Sequence, residues 1–281
     1  VVLDGFKQDP PEGAPPYLSV VSTDVRGGPA GARNFGAEKA KGEFLAFTDD
    51  SCVPRSDWLD AIAASFSTGT DAVVGGVKIP PGGWLGDAIS MLGFPAGGNL
   101  GFKELWDVRP DGTTDHLSTC NFSIRREIFQ SIGGFDGGFP FPGGEDNEFA
   151  FRLRAAAYQI SFSPNAIITH PPRTGYREFI AWQFRRARGQ YYLVQSVGTA
   201  RPFVRNRFRS ALRSMARTAG RPYVVVMPFL IATMFVAQTS GYFFERRKQR
   251  RPNPPRNVEN TVRSNADDTE SSRTKPGDSS E

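Results

Sequence analysis

Apolar positions in the first half of the chain come in short continuous runs broken by turn residues. Val1-Val2-Leu3 stops at Asp4-Gly5, and residues 17–22 follow a Pro-rich loop; both read as buried strands. After the Gly-rich turn Gly27-Gly28-Pro29-Ala30-Gly31, helical spacing runs over residues 32–41, Gly42 ends it, and residues 43–47 form the next strand. Residues 58–66 are an amphipathic helix and 71–77 another buried strand. Strands that are apolar throughout and alternate with helices predict an α/β fold, a Rossmann-like, mostly parallel sheet flanked by helices.

Further on, residues 80–112 are Gly-rich and irregular and receive no regular element. Strands are expected at 121–124, 158–162 and 166–169, and helices at 125–131, 146–156 and 177–197. From Pro222 to Phe244 no side chain is charged, which is long enough at helical rise to cross a hydrocarbon core of roughly 30 Å. A buried core helix would read the same way. Basic clusters at both ends and interfacial aromatics at Tyr223, Tyr242 and Phe243 favour a C-terminal transmembrane helix. The expected organisation is therefore an α/β domain over 1–200, a basic juxtamembrane segment over 201–221, a transmembrane helix over 222–244, and a basic then disordered tail over 245–281.

A chain of 281 residues with 39% hydrophobic content supports one sizeable core with appended segments. The net charge of +5 is unevenly spread, because arginines crowd the stretch from Arg173 to Arg256. That cluster abuts the apolar run and lacks interleaved aromatic platforms, so an anionic membrane surface is a better partner for it than nucleic acid. Cys52 and Cys120 alone exclude a disulfide framework or a structural zinc site.

Four constellations carry candidate chemistry. Asp49-Asp50 ends a strand, where ligands of open α/β sheets bind; the pair suits a divalent cation bridging to a diphosphate, or is a solvated acidic pair. Gly144-Glu145-Asp146 opens a helix behind a glycine-rich stretch, so Asp146 is either a helix cap or a general base in a closing loop. His170 stands at a strand end. Arg185 and Arg186, on the helical segment from Trp182 to Gly189, face either lipid headgroups or a departing diphosphate.

Taken in order, these segments resemble family 2 glycosyltransferases, which have the GT-A fold; the match runs from Val1 to about Val194. The resemblance implies a donor site of Asp4 (nucleobase), Arg33, Asn34 and Asp49, with Arg185 and Arg186 toward the diphosphate. Phe47-Thr48-Asp49-Asp50-Ser51 is similar to the family's Asp-x-Asp motif, but Ser51 replaces the last acid. Asp50 is then the implied metal ligand, with Asp49 and His170 beside it and Mn²⁺ or Mg²⁺ as cofactor. Cys120 and Asn121 match the acceptor side, and Gly144-Glu145-Asp146 the motif that supplies the base, pointing to Asp146 rather than Glu145. The family's first strand and helix have no counterpart after Val1. The implied activity is inverting transfer from a nucleoside-diphosphate sugar to a hydroxyl of a glycan or lipid-linked acceptor. The implied location is the membrane, single-pass, with the catalytic domain on the cytoplasmic side. The alternative is a non-catalytic membrane-anchored module that binds an acceptor or partner.

Overall fold

The computed structural model describes residues 1–9, 12–199 and 201–250, with the backbone alone for 201–203. The expected disordered tail lies outside the described residues from 251 onward. Val1–Phe244 forms one compact unit; of a second, Glu245–Glu281, only the helical residues 245–250 are described.

Strands β1 (Val2–Asp4) and β2 (Val21–Thr23) pair in parallel, Val2 opposite Val21. Helix α1 (Gly28–Lys39) follows, with Pro29 in its first turn, where the missing N–H costs nothing. The chain continues through β3 (Phe44–Thr48), β4 (Val53–Pro54), α2 (Trp58–Ser67), β5 (Ala72–Lys78), α3 (Gly83–Ser90), α4 (Phe102–Leu105), β6 (Thr113–Thr114), β7 (Asn121–Arg125), α5 (Arg126–Ser131), α6 (Glu145–Ala155) and β8 (Ile160–Thr169). Three long helices end the described chain: α7 (Tyr176–Val197), α8 (Arg201–Thr218) and α9 (Met227–Arg250).

The main sheet has the order β3-β7-β5-β8-β4, with β6 beside β8. The expected α/β layering is present, but the sheet is mixed rather than mostly parallel. β7 runs antiparallel to both of its neighbours, β4 and β6 are antiparallel to β8, and only β5 with β8 is parallel. An apolar run reports that a strand is covered on both faces, not which way it runs. The two strands expected at 158–162 and 166–169 are one, β8, whose register against β5 shifts between Gly75 and Gly76. The unassigned stretch holds α3 and α4, and the basic segment is the helix α8.

Alternate residues of the central strands enter different cores, as the pleat requires. Ala72, Val74, Phe122 and Ile124 join α1, α5 and α6 around Phe129, Phe135 and Phe149, where the Phe135 and Phe149 rings lie 4.7 Å apart. Val73, Ala166 and Ile168 meet Trp58, Ile62 and Phe66 of α2 on the other face. A third cluster joins α3, α7 and α9 through Ile89, Phe179, Trp182, Met227, Leu230 and Met234.

By length and composition, the helical stretch Pro222–Arg250 could cross a membrane. One face of α9 docks along α7: Tyr176 Oη is 2.9 Å from Thr233 Oγ1, and Gln238 Nε2 donates to Gln183 Oε1 at 2.7 Å. The two helices approach closely at Gly241, where a Cβ would stand 2.3 Å from the Phe184 carbonyl oxygen. Its other face leaves Phe229, Val236 and Phe243 more than half exposed.

Candidate active site

β3 delivers Thr48, Asp49, Asp50 and Ser51 to a cleft of about 1140 Å³. Arg33 of α1 forms one side, Gly143, Glu145 and Asp146 another, and His170, Arg173, Trp182, Arg185 and Arg186 the wall between them. Acids and bases separated by more than a hundred residues in sequence thus share one concavity, the usual form of a ligand site.

The carboxylate of Asp49, Cys52 Sγ and a ring nitrogen of His170 lie within 4.8 Å of one another. His170 is buried, and its Nδ1 sits 2.7 Å from the Pro171 carbonyl oxygen. A carbonyl only accepts, so Nδ1 is the donor and Nε2 is the ring nitrogen left to face a ligand. Burial, and then the Asp49 charge, push the Cys52 thiol up, which leaves it protonated and a poor donor to a hard cation. Asp50 lines the same cleft, exposed, outside this cluster. The Asp49 carboxylate and the His170 imidazole are donors that suit a hard or borderline divalent cation. Sequence reasoning passed over Cys52, whose N–H closes a turn onto the Asp49 carbonyl at 3.0 Å.

Arg33 ties the acidic segments together, donating from Nη1 to Glu145 at 3.0 Å and from Nη2 to Asp49 at 3.4 Å. The other oxygen of Glu145 accepts the Gly143 N–H at 2.7 Å. Glu145 is therefore buried with both oxygens engaged, a positioning role. Asp146 differs. Among the described residues only Asn147 donates to it, from its backbone N–H at 2.8 Å and its side-chain amide at 2.9 Å, both to Oδ1. Burial and then the adjacent Glu145 charge raise its carboxyl to about 6, against the opposing pull of Arg186, the Asn147 hydrogen bond and Arg33. A carboxylate tuned upward in a cleft, with one oxygen unclaimed, is equipped to accept a proton.

The adjoining wall is basic. Arg173 stacks over the Trp182 ring at 4.4 Å, and its buried Nε has no hydrogen-bond partner. Burial first, then Arg186 and Arg185, lower its pKa. Three guanidiniums gathered in this way suit a diphosphate. Arg173 sits just past His170-Pro171-Pro172, and nothing in its local sequence distinguishes it from the arginines that follow.

Glycines set the spacing between the two sides. A Cβ on Gly189 of α7 would meet the Gly143 carbonyl oxygen at 2.3 Å, and one on Gly144 would meet the Gly189 oxygen at 2.9 Å. The loop before Asp146 therefore rests on the backbone of the helix that carries Arg185 and Arg186.

Other expected site residues are used differently. Asn34 turns away from the cleft: its amide donates to the Phe135 carbonyl at 2.7 Å and accepts the Phe135 N–H at 2.8 Å. Asn121 is buried, accepting from Trp58 Nε1 at 2.9 Å and donating to the Gly76 and Ala166 carbonyls at 2.8 Å each. It fills the gap where the β5 and β8 registers shift and presents no free polar atom to an acceptor. Cys120 lines the cleft as a buried thiol pushed up to about 12 by burial. Asp4 also lines it, while its oxygens accept the Gly27 and Gly28 N–H groups at 2.8 and 3.0 Å and so hold the start of α1.

Residues 2–133 match the family model described as Glycosyl transferase family 2, and residues 103–174 the one described as N-terminal domain of galactosyltransferase. Among curated relatives, Glycosyltransferase AglE of Haloferax volcanii is 30% identical over 180 residues, 62% of this chain and 54% of AglE. Pre-mycofactocin glycosyltransferase of Mycobacterium tuberculosis is 29% identical over 154 residues, covering 55% of this chain and 32% of that protein. The chain thus spans about half the length of the first and a third of the second. The fold is similar to that of the mannosyltransferase PcManGT from Pyrobaculum calidifontis, solved with GDP-Man and Mn²⁺, at a TM-score of 0.50 and 17% identity over 81% of this chain and 70% of that one.

Proposed function

We propose that this chain, whose residues 2–133 match the glycosyl transferase family 2 model, moves a sugar from a nucleoside-diphosphate donor to an acceptor hydroxyl with inversion at the anomeric carbon. The observation that carries this reading is the pairing, across one cleft, of Asp146, raised to about 6, with Arg173, Arg185 and Arg186, which present positive charge to a diphosphate.

In this reading Arg185, Arg186 and the half-buried Arg173 bind the diphosphate, and Asp4 and Arg33 border the nucleotide. Asp146 takes the acceptor's proton through the oxygen that Asn147 leaves free. The acceptor oxygen then bonds to the anomeric carbon from the face opposite the leaving group. The bond from that carbon to the diphosphate oxygen breaks, and its electron pair departs with the nucleoside diphosphate. Displacement in one step inverts the centre. Asp49, His170 and Asp50 would hold a divalent cation, which when bound supplies countercharge to the diphosphate. Because the Pyrobaculum fold neighbour was solved with GDP-Man and Mn²⁺, GDP- and UDP-sugars with Mn²⁺ are the first donors to assay.

We read the exposed apolar face of α9 as lipid-facing, which supports a membrane location; a cleft on the cytoplasmic side is part of the same proposal. Turnover of donor by the full chain tests the assignment. Asp146→Asn and Asp50→Ala should each lower the rate by about 100-fold or more, within the range expected when a general base or a cation ligand is lost. Undiminished rates in both variants would overturn it.

A further inference from the structure

A second cavity, of about 350 Å³, lies between α7, α8 and α9 behind the catalytic cleft and shares one residue with it, Arg186. Asn147, the hydrogen-bond donor to Asp146, also lines it. Its walls are mainly apolar, with Leu105, Val194, Val204, Phe235 and Phe243 among them. Two guanidiniums nonetheless face it. Arg186 and Arg207 lie over the same Phe94 ring, at 5.6 and 4.5 Å from its centroid, and neither forms an ion pair among the described residues. Burial and then the Arg186 charge press Arg207 down to about 9. Two like charges in an apolar cavity repel each other and forgo hydration, a cost that a bound anion removes.

The mouth of the cavity shows where such an anion comes from. Val204 and Phe243 line the cavity and are also 62% and 52% exposed. Val204 begins an exposed apolar ridge on α8 with Phe208 and Leu212, and Phe243 ends one on α9 with Phe229 and Val236. One position on from Val204 and Phe208 stand Arg205 and Arg209, both exposed. Adjoining apolar and basic rows on one helix suit the boundary of an anionic bilayer.

We infer that this cavity takes an amphiphilic acceptor, a long-chain phosphate, with its phosphate held by Arg207 on the side of the cavity that Arg186 closes and its hydrocarbon along the apolar wall toward the α8 and α9 ridges. The inference rests on the transferase reading and names the acceptor class of the same site. It adds no bond change: the headgroup carrying the acceptor hydroxyl is led past Arg186 to Asp146.

The test uses the full chain in phosphatidylcholine nanodiscs, titrated with a C15 prenyl monophosphate, the C15 prenol and inorganic phosphate. The prenyl phosphate should bind at least tenfold more tightly than either fragment. Arg207→Gln, which removes the charge, and Val194→Trp, which fills the chain's path with Arg207 intact, should each weaken it at least tenfold. Binding of nucleoside diphosphate with Mn²⁺, measured on the same samples, should change in neither variant and serves as the folding control. Equal affinity for the prenol, or unchanged affinity in both variants, overturns the inference. Nucleotide binding without prenyl phosphate binding refutes this inference alone, whereas failure of both refutes the transferase reading. A variant that loses nucleotide binding is set aside, and the headgroup comparison on the unaltered chain still decides.

Discussion

Arg33 donates to Glu145 at 3.0 Å across 112 residues of chain, and the side chain of Glu145 is only 5% exposed. The pair pins α1 to the start of α6. Removing the cation strands a buried carboxylate, which typically costs about 3–5 kcal/mol, whereas neutralising the acid leaves a partner that still accepts a hydrogen bond. We expect Arg33→Met to lower the urea midpoint clearly more than Glu145→Gln. Equal losses would show that the pair is not what holds the two helices.

Asp146 should trade stability for activity. Its folded pKa stands near 6, above the ordinary 3.8, so the folded state holds this proton more tightly and the ionised side chain costs stability increasingly as pH rises through that interval. Asp146→Asn removes the cost. Thermal unfolding should show the variant more stable by on the order of 1–3 kcal/mol at pH 7.5, with the difference vanishing toward pH 4. The rate of the unaltered enzyme should fall as pH drops below about 6, where the base becomes protonated.

His170 and Cys52 stand together beside Asp49 but should behave oppositely. His170→Ala removes a nitrogen donor and should weaken Mn²⁺ binding about tenfold or more; Cys52→Ser should change it less than about twofold, because a hard cation has little use for a protonated thiol. Mn²⁺ titration followed by calorimetry separates them. Equal weakening would make the thiol a ligand.

Arg173→Leu replaces a half-buried guanidinium whose buried Nε is unsatisfied. We expect KM for the donor to rise at least tenfold, with thermal stability unchanged or raised. A stability loss with KM unaltered would mean that Arg173 serves packing against Trp182 and not the diphosphate.

Much of the fold is written locally. β3, β5, β7 and the helices α2, α5, α6 and α7 lie within two or three residues of where apolar spacing and turn glycines put them. Strand direction is not local: β7 enters between β3 and β5 only after the intervening chain has crossed the molecule. The same distinction divides the site residues. Asp49, Glu145, Asp146, Arg185 and Arg186 stand in short motifs and meet in the cleft. Asn34 and Asn121 stand in motifs too, yet their amides are consumed by backbone groups of Phe135, Gly76 and Ala166, 101 and 45 residues away. Arg173 and Arg207 lie among a dozen similar arginines, and only packing shows that their charges face cavities.

The contact of Gly143 and Gly144 with Gly189 makes a ruler of the peptide backbone. One chain thickness separates the helix that carries Asp146 from the helix that carries Arg185 and Arg186. Substitutions around the rim of the cleft leave the stride between Asp146 and the two arginines constant. Any residue larger than glycine at those three points would lengthen it, slowing every substrate alike instead of exchanging one for another.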